Sequence, residues 1–151
     1  MSPWDSFLIS RGIKTLDLRV RQHCENAMKI ANFLEQHPKV QRVYYPGLDS
    51  HPGKDIAARQ MDGRFGGMLS FEVVGSYEDA KKVVDSTKLF QLAVSLGAVE
   101  SLIEHPPSMS HAAYDRADRL KHGINDSLIR LSVGIENIED QVADLEQALA
   151  N

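Results

Sequence analysis

The densest group of chemically capable side chains lies between residues 93 and 114, in AVSLGAVESLIEHPPSMSHAAY. The segment holds a Ser-Leu-Gly triplet, two glutamates, two histidines and a Pro-Pro pair. Neither the period of a helix nor the alternation of a strand runs through it. The segment is therefore predicted to be neither one helix nor one strand, although it is rich in polar side chains.

Two enzymatic interpretations of this segment are weak on spacing. His105 and His111 are six residues apart with a Pro-Pro pair between them, which is not a zinc-ligand spacing. Ser108, His111 and Asp115 could supply a hydrolase triad, but the Gly-x-Ser-x-Gly turn that exposes such a serine is missing. Capping or solvent-facing roles therefore explain these side chains better.

The glycine-rich segments do not match nucleotide-binding signatures either. In GLDSHPGKD (47–55), five residues instead of four separate the glycines, and Asp55 stands where a phosphate-binding loop has Ser or Thr. The cluster GRFGG (63–67) does not follow a strand, as the dinucleotide-binding turn requires. Strand geometry explains this cluster better.

Arg130 lies in LIRLSVG, a segment apolar enough to predict a buried strand. An arginine in such a place needs partners for its N–H donors. One interpretation is an internal ion pair with Glu100 or Glu136. The other is that the planar guanidinium binds the carboxylate of a small ligand through two parallel hydrogen bonds, beside donors from the Ser-Leu-Gly turn.

Composition limits the classes of function. With 151 residues, 42% hydrophobic and 25% charged, the chain is expected to form one domain over 1–151. The net charge is −4 and no Lys or Arg run exceeds two residues, so neither nucleic acid nor a membrane is an expected partner. A single cysteine, Cys24, and no signal-peptide pattern favour a reducing, cytoplasmic setting.

Hydrophobic periodicity predicts alternating helices and strands. Apolar residues from Ile13 to Leu34 recur at steps of three and four, which predicts one long amphipathic helix. Ser76 and Asp79 are spaced as a helix capping box, and Asn137 is a candidate cap of the last helix. The remaining predicted elements are strands at 40–45, 63–75 and 127–136 and helices at 51–61, 76–88, 111–123 and 137–150.

These elements predict an α/β fold with two layers. We expect a small mixed or antiparallel sheet of about four strands with helices on one face, preceded by the long N-terminal helix.

Three long segments resemble one family of enzymes. They are SPWDSFLISRGIKTLDLRVRQHCENAMKIANFLEQHPKVQRVYYPGL, SLGAVESLIEHPPSMSHA and LIRLSVGIENIEDQVADLEQAL. In this order they closely resemble the C-terminal (small) domain of the Cys/Met-metabolism enzymes that use pyridoxal 5′-phosphate (PLP). That family includes cystathionine γ-synthase, cystathionine γ-lyase, cystathionine β-lyase and methionine γ-lyase. The resemblance implies the C-terminal domain fold of fold-type I PLP enzymes.

The resemblance also implies roles for individual residues. Arg130 matches the arginine that binds the α-carboxylate of the amino-acid substrate in this family. Ser95 matches the serine whose segment lines the same pocket, and Leu96 and Gly97 complete that turn. No catalytic residue is implied within this chain.

Four positions depart from the family pattern. Ala98 replaces the second glycine of S-L-G-G, Pro107 stands where Ala is frequent, and Ser110 stands where S-M-T-H has Thr. Val94 occupies a position where several cystathionine-processing members carry Glu, and an apolar side chain there resembles methionine γ-lyase instead. We include Val94 and Ser110 in the substrate-binding set, and the apolar Val94 favours a thioether amino acid.

The family's cofactor residues belong to a large domain that precedes this one. They are the lysine that carries PLP, the tyrosine that stacks on it, the aspartate at its pyridine nitrogen and the phosphate-binding groups. Lys88, in DSTKLF, has a similar Ser-x-Thr-Lys pattern but lacks the Gly-His that should follow. PLP is therefore expected in the parent enzyme and not on this chain alone.

The resemblance leads to one main hypothesis and one alternative. The chain is predicted to be an excised or truncated piece of a PLP-dependent sulfur amino-acid lyase or transferase, inactive without its large domain. Its expected partners are that domain, a sulfur amino acid and further copies of itself. The alternative is a stand-alone, non-catalytic module that binds an amino acid or serves assembly. The sequence does not distinguish β-elimination, γ-elimination and γ-replacement as the reaction of the parent enzyme.

Overall fold

The structure, a computed structural model, describes residues 1–150. Helices and strands alternate along most of the chain, as the periodicity predicts. The helices are α1 (Pro3–Ile13), α2 (Leu16–Glu35), α3 (Lys54–Met61), α4 (Tyr77–Ser86), α5 (Arg116–Lys121) and α6 (Ile138–Ala150). The strands are β1 (Val40–Tyr44), β2 (Met68–Val73), β3 (Gln91–Leu92), β4 (Leu102–Glu104) and β5 (Leu128–Ser132).

The strands form one mixed sheet in the order β1-β2-β5-β4-β3. Strand β3 is parallel to β4, and the other neighbouring pairs are antiparallel. The expected α/β architecture with a mixed sheet is confirmed, but the sheet has five strands instead of about four. The prediction missed β3 and β4 because segments of two and three residues are too short to show an alternating pattern.

Helices α2 and α4 cover one face of the sheet, and α6 packs against both of them. Alternate residues of the central strands point into this layer, since successive side chains of a strand face opposite sides. The main sheet residues of this core are Val43, Leu69, Phe71, Val73, Ile103, Ile129 and Leu131. The helices contribute Ala27, Ile30, Ala31, Leu34, Ala80, Val83, Val84, Leu145, Ala148 and Leu149.

The opposite side of the sheet carries polar side chains. In the strand register Ser70 lies beside Arg130 and Arg130 beside Glu104, so the three form one row across β2, β5 and β4. Residues two positions away on the same strands share this side. We call this side the polar face and define it by Ser70, Glu72, Glu104, Arg130 and Ser132.

The long helix predicted from Ile13 to Leu34 is confirmed as α2, which begins at Leu16 and ends at Glu35. A further helix that the periodicity did not predict, α1, ends at Ile13, with Lys14 and Thr15 between the two helices. Gly12 disfavours helix continuation by about 1 kcal/mol, and its carbonyl oxygen accepts a hydrogen bond of 2.7 Å from Arg19. Helix α1 has no buried residue. Within residues 1–150, no helix combines the length and the apolar character needed to cross a bilayer.

Local capping chemistry agrees with two of the predicted helix starts. Ser76 and Asp79 form the predicted capping box at the start of α4. The side chain of Asn137 accepts a hydrogen bond of 2.8 Å from the backbone N–H of Glu139 in α6. These bonds satisfy backbone N–H groups that have no partner in the first turn of a helix.

Candidate carboxylate-binding site on the polar face

Arg130 is held in the middle of the sheet by one ion pair and two hydrogen bonds. Its Nη1 atom lies 2.9 Å from Oε1 of Glu104. Its Nη2 atom donates to the carbonyl oxygens of Val94 at 2.6 Å and Ser95 at 2.9 Å. The Nε atom is buried and has no partner among the described residues. A guanidinium held in this way keeps donor capacity for a further oxygen ligand.

The ion-pair partner of Arg130 is neither of the two glutamates that the sequence analysis considered. Glu100 is exposed, and Glu136 accepts hydrogen bonds from the Ser101 backbone at 2.6 Å and from Gln141 at 2.8 Å. Burial alone would raise the pKa of Glu136, but these hydrogen bonds outweigh it and hold the pKa below its usual value. The prediction of Glu100 or Glu136 as the partner is therefore wrong, and Glu104 takes that place.

Sequence reasoning missed Glu104, although a signal for it exists. Glu104 ends the apolar run Ser-Leu-Ile-Glu, so it is a charged residue in an apolar segment, the same feature that identified Arg130. Its side chain is only 1% exposed. Its distance from Arg130 along the chain hides the pairing, because β4 and β5 lie side by side only in the folded sheet.

Ser110 reaches the site through Glu104. Its hydroxyl donates to Oε1 of Glu104 at 3.1 Å and lies 2.9 Å from Nδ1 of His111. The other carboxylate oxygen of Glu104, Oε2, is buried without a partner among residues 1–150. In this structure Ser110 thus contacts the partner of Arg130 and not Arg130 itself.

The Ser-Leu-Gly turn forms the rim beside Arg130. Gly97 has a φ of +78°, a conformation that glycine adopts without strain, and its N–H donates to Oγ of Ser132 at 2.8 Å. Val94 and Leu96 are 49% and 58% exposed. The turn therefore gives carbonyl oxygens to Arg130, while the N–H of Gly97, which we expected as a free donor, is already paired.

A groove of about 200 Å³ continues from this rim towards α2. It is lined by Leu96, Gly97 and Ser132 from the site and by His23 and Met68 from neighbouring elements. Nδ1 of His23 lies 2.6 Å from the carbonyl oxygen of Val133, which fixes the ring against the sheet. The structure thus joins Val94 and Ser95 directly to Arg130 and joins Ser110 to it through Glu104, whereas Leu96 lines the groove.

The hydrolase triad does not form. Oγ of Ser108 lies 2.9 Å from Nδ1 of His105, whereas His111 contacts Ser110. Asp115 is the residue before α5 and occupies its N-cap position. No group of three or more His, Cys, Asp or Glu side chains within residues 1–150 has the geometry of a metal site.

The side chains described here do not fit a bound pyridoxal cofactor. Lys88 is exposed, and its backbone N–H donates to Oδ1 of Asp144 in α6 at 2.8 Å. A lysine that carries a cofactor needs a desolvated pocket, which an exposed turn does not provide. Lys54, in the 47–55 loop, is paired with Asp49, so its ammonium group has a partner other than a phosphate.

Comparison with known sequences identifies the family. The model of the Cys/Met metabolism PLP-dependent enzymes matches residues 1–150. The chain is 52% identical over 149 residues to an L-methionine γ-lyase of Fusobacterium nucleatum subsp. polymorphum, covering 99% of this chain and 38% of that protein. It is 57% identical over 148 residues to a cystathionine β-lyase of Coxiella burnetii, covering 98% of this chain and 38% of that protein.

Solved structures show the same fold. Cystathionine γ-synthase of Xanthomonas oryzae pv. oryzae, solved with aminoacrylate and cysteine, has a TM-score of 0.91 and 52% identity. That comparison covers 99% of this chain and 38% of the other. A protein of Campylobacter jejuni subsp. jejuni, solved with N′-pyridoxyl-lysine-5′-monophosphate, has a TM-score of 0.93 and 41% identity, covering 100% of this chain and 36% of that one.

The chain spans less than two fifths of the length of the relatives that it matches, at 38% of each of the two lyases. The family match nevertheless extends over all of the described residues. From this coverage and from the fold it follows that the chain belongs to the family of Cys/Met metabolism PLP-dependent enzymes.

Proposed function

We propose that residues 1–151 form the substrate-carboxylate domain of a PLP-dependent sulfur amino-acid lyase or transferase. One observation carries this proposal. Arg130 stands on the polar face with its guanidinium fixed by one ion pair and two hydrogen bonds and with a buried Nε–H that has no partner within residues 1–150. A free donor on a fixed, planar cation is suited to the carboxylate of an amino acid.

The residues of this chain would bind and orient the substrate. Arg130 would hold the α-carboxylate, and the wall from Val94 to Leu96 would limit where the rest of the molecule can lie. Such positioning lowers reaction barriers because the reacting groups are aligned before the chemical step. When bound, PLP supplies the electron sink for breaking bonds at the substrate's α carbon.

The substrate that we propose is an amino acid with a sulfur-containing side chain. The relatives named above are lyases and a synthase of methionine and cystathionine metabolism. Val94 is half exposed at the rim, and its carbonyl oxygen contacts Arg130. A carboxylate at this position would lose water contacts if a thioether packed against it, so valine favours methionine-like substrates.

The proposal includes a second domain and a setting. The large domain of the family would supply the lysine for PLP, so this chain by itself is predicted to be inactive. Self-association is part of the proposal, through the exposed apolar side chains of α1. Cys24 is buried and free of any disulfide, and a reducing compartment such as the cytoplasm remains the expectation.

A chimera tests the proposed role of Arg130. This chain would replace the corresponding segment of the Coxiella burnetii cystathionine β-lyase, to which it is 57% identical. In this chimera, Arg130→Ala should raise KM and lower kcat/KM about 100-fold, since a charge-assisted hydrogen bond contributes about 1.5–3 kcal/mol. Arg130→Lys should recover only part of the loss, because lysine lacks the planar fork.

Arg42→Ala is the matched control for this experiment. Arg42 is exposed on β1, and its guanidinium stacks over the ring of Tyr44 at 4.6 Å. Its replacement by alanine changes the net charge by the same amount as Arg130→Ala. Its kcat/KM should stay within about twofold of the unmodified chimera. Equal kcat/KM values for Arg130→Ala and Arg42→Ala would show that the carboxylate assignment is wrong.

A second candidate function is a stand-alone module that binds an amino acid without chemistry. It is favoured by the fact that Arg130 and all three of its acceptors belong to this chain. Lyase activity of the chimera, combined with calorimetric titration of the purified chain with L-methionine, distinguishes the two candidates. Binding that is lost in Arg130→Ala, together with a chimera that has no lyase activity, would support the module.

A further inference from the structure

We propose that Glu104 is a positioning residue for Arg130, which fixes the guanidinium for a carboxylate ligand and weakens the binding of that ligand through its own charge. This inference rests on the proposed function, because it concerns the same carboxylate site. Glu104 would act through Arg130 and would not touch the substrate's reacting atoms.

The sheet register places Glu104 directly beside Arg130. The two residues are paired neighbours on β4 and β5, and Oε1 lies 2.9 Å from Nη1 of the arginine. Nη2 is held by the carbonyl oxygens of Val94 and Ser95, which lie in the segment between β3 and β4. Because Nη1 and Nη2 are bound by separate segments, rotation of the guanidinium would break at least one of these bonds.

The Arg130–Glu104 ion pair lacks two of the hydrogen bonds that a purely structural buried ion pair would make. Buried charges are normally stabilised by a full set of hydrogen bonds. Here Nε of Arg130 and Oε2 of Glu104 are both buried and both lack a partner among residues 1–150. The donor left over belongs to the arginine, so an anionic oxygen is the ligand that would satisfy it.

The charge of Glu104 has a predictable consequence for such a ligand. Glu104 is 1% exposed, so solvent screens its interaction with Arg130 only weakly. A ligand carboxylate at Nε would share the guanidinium with a second carboxylate, and the two negative charges repel each other. Glu104 therefore orders the site at the cost of affinity, which suits a substrate that must be released.

Ser110 supports this arrangement from the exposed side. Its hydroxyl donates to the Oε1 atom that also contacts Arg130, and it contacts His111 in turn. Ser110, which we predict to belong to the substrate site, would therefore act there indirectly. Ser110 would stabilise the carboxylate orientation of Glu104 and through it the orientation of Arg130.

Nitrogen-15 NMR of the Arg130 Nε–H in the purified chain tests the proposal. The variants are Glu104→Gln, which keeps an oxygen acceptor of the same shape, and Glu104→Ala, which removes it. In Glu104→Ala the Nε–H should exchange with solvent about tenfold faster than in the wild type. In Glu104→Gln its exchange should stay close to the wild-type rate. Equal exchange rates in all three proteins would overturn the positioning role.

Titration of the same samples with L-methionine tests the effect on affinity. Glu104→Gln should bind on the order of tenfold more tightly than the wild type, since one neighbouring like charge is removed. Glu104→Ala should bind less tightly than Glu104→Gln, because its guanidinium is no longer held. Binding by Glu104→Gln that is equal to or weaker than wild type would overturn the proposal.

A control ligand keeps the outcomes separate. L-methioninol has a CH₂OH group in place of the carboxylate, so it should not shift the Nε–H signal. If L-methionine and L-methioninol shift this signal equally in all three proteins, the proposed carboxylate function is wrong. The exchange rates still show, independently, whether Glu104 holds Arg130.

Ser110→Ala keeps the test valid if Glu104→Ala does not fold. Ser110 is exposed, so its truncation leaves the core intact. Loss of its hydroxyl should shift the Arg130 Nε–H signal and speed its exchange about threefold. An unchanged signal in Ser110→Ala would contradict the support that we assign to Ser110 and Glu104.

Discussion

His105 shows how a residue type that is common in active sites can serve the fold instead. The side chain is fully buried and its ring packs edge-on against Tyr77, with 4.8 Å between the ring centroids. Nε2 lies 2.8 Å from the carbonyl oxygen of Asp126, and Nδ1 lies 2.9 Å from Oγ of Ser108. A neutral imidazole satisfies both contacts if Nε2 donates and Nδ1 accepts.

This environment makes stability depend on pH. Burial lowers the pKa of His105 below its usual value of 6.5, so the folded protein favours the neutral ring. The unfolded chain takes up a proton below about pH 6.5. The free energy of unfolding should therefore fall as the pH drops from about 6.5 towards the depressed folded-state pKa, by up to about 1.4 kcal/mol per pH unit.

Urea unfolding at about pH 7.5, 6 and 5 measures this dependence. His105→Gln should be less stable at neutral pH, because packing is lost, but should have a smaller pH slope. His122→Gln is the control, since His122 is exposed, and it should keep the wild-type slope. The same slope in His105→Gln and wild type would contradict the assignment.

At the scale of elements, α6 holds the segment that leads into β3. The carboxylate of Asp144 accepts hydrogen bonds from three consecutive backbone N–H groups, those of Lys88, Leu89 and Phe90, at 2.8, 2.8 and 3.0 Å. The Asp144 side chain is buried, so water could not easily take its place as the acceptor for these N–H groups. Because β3 runs directly into the Val94 turn, this contact also sets the position of the rim of the site.

Asp144→Ala should lower the free energy of unfolding by about 3 kcal/mol, because it leaves buried N–H groups without an acceptor. Asp144→Asn should cost less, since one oxygen acceptor remains. Chemical denaturation monitored by circular dichroism gives both values. Glu146→Ala, an exposed carboxylate on the same helix, should change stability by less than about 0.5 kcal/mol. Equal losses in Asp144→Ala and Glu146→Ala would refute this role.

At the scale of the whole molecule, one surface is too apolar for an isolated chain. Helix α1 buries none of its residues. Its large exposed side chains, with the start of α2, are Trp4, Phe7, Leu8, Ile9, Ile13, Leu16, Leu18 and Val20. Exposed apolar side chains in this number on two consecutive helices lead us to expect an interface, either with another domain or with a second copy.

The isolated chain should therefore associate with itself. In sedimentation velocity the average mass should rise with protein concentration, since burying apolar area is favourable by about 25 cal/mol per Å². The double substitution Phe7→Lys and Ile9→Lys should abolish the effect. Ile56→Lys, which changes an equally exposed apolar residue on α3, should not. A wild-type monomer at all concentrations would contradict the prediction.

Features that depend on neighbours along the chain can be predicted from the sequence alone. Helical spacing located most of α2, α4 and α6, and the Ser76 capping box followed from side chains three residues apart. Arg130 stood out because a charge inside an apolar strand must have a partner. The family resemblance rested on long continuous segments, which also need no tertiary information.

The partner of Arg130, and the contacts that the irregular segment 93–114 makes with it, depend on the folded sheet. Glu104 lies beside it because β4 pairs with β5, a contact between residues 26 positions apart in the sequence. A strand of three residues has no period to read, and Glu100 or Glu136 would serve equally well by charge alone. Strand pairing is non-local, so the geometry of the carboxylate site emerged from the sheet and not from spacing along the chain.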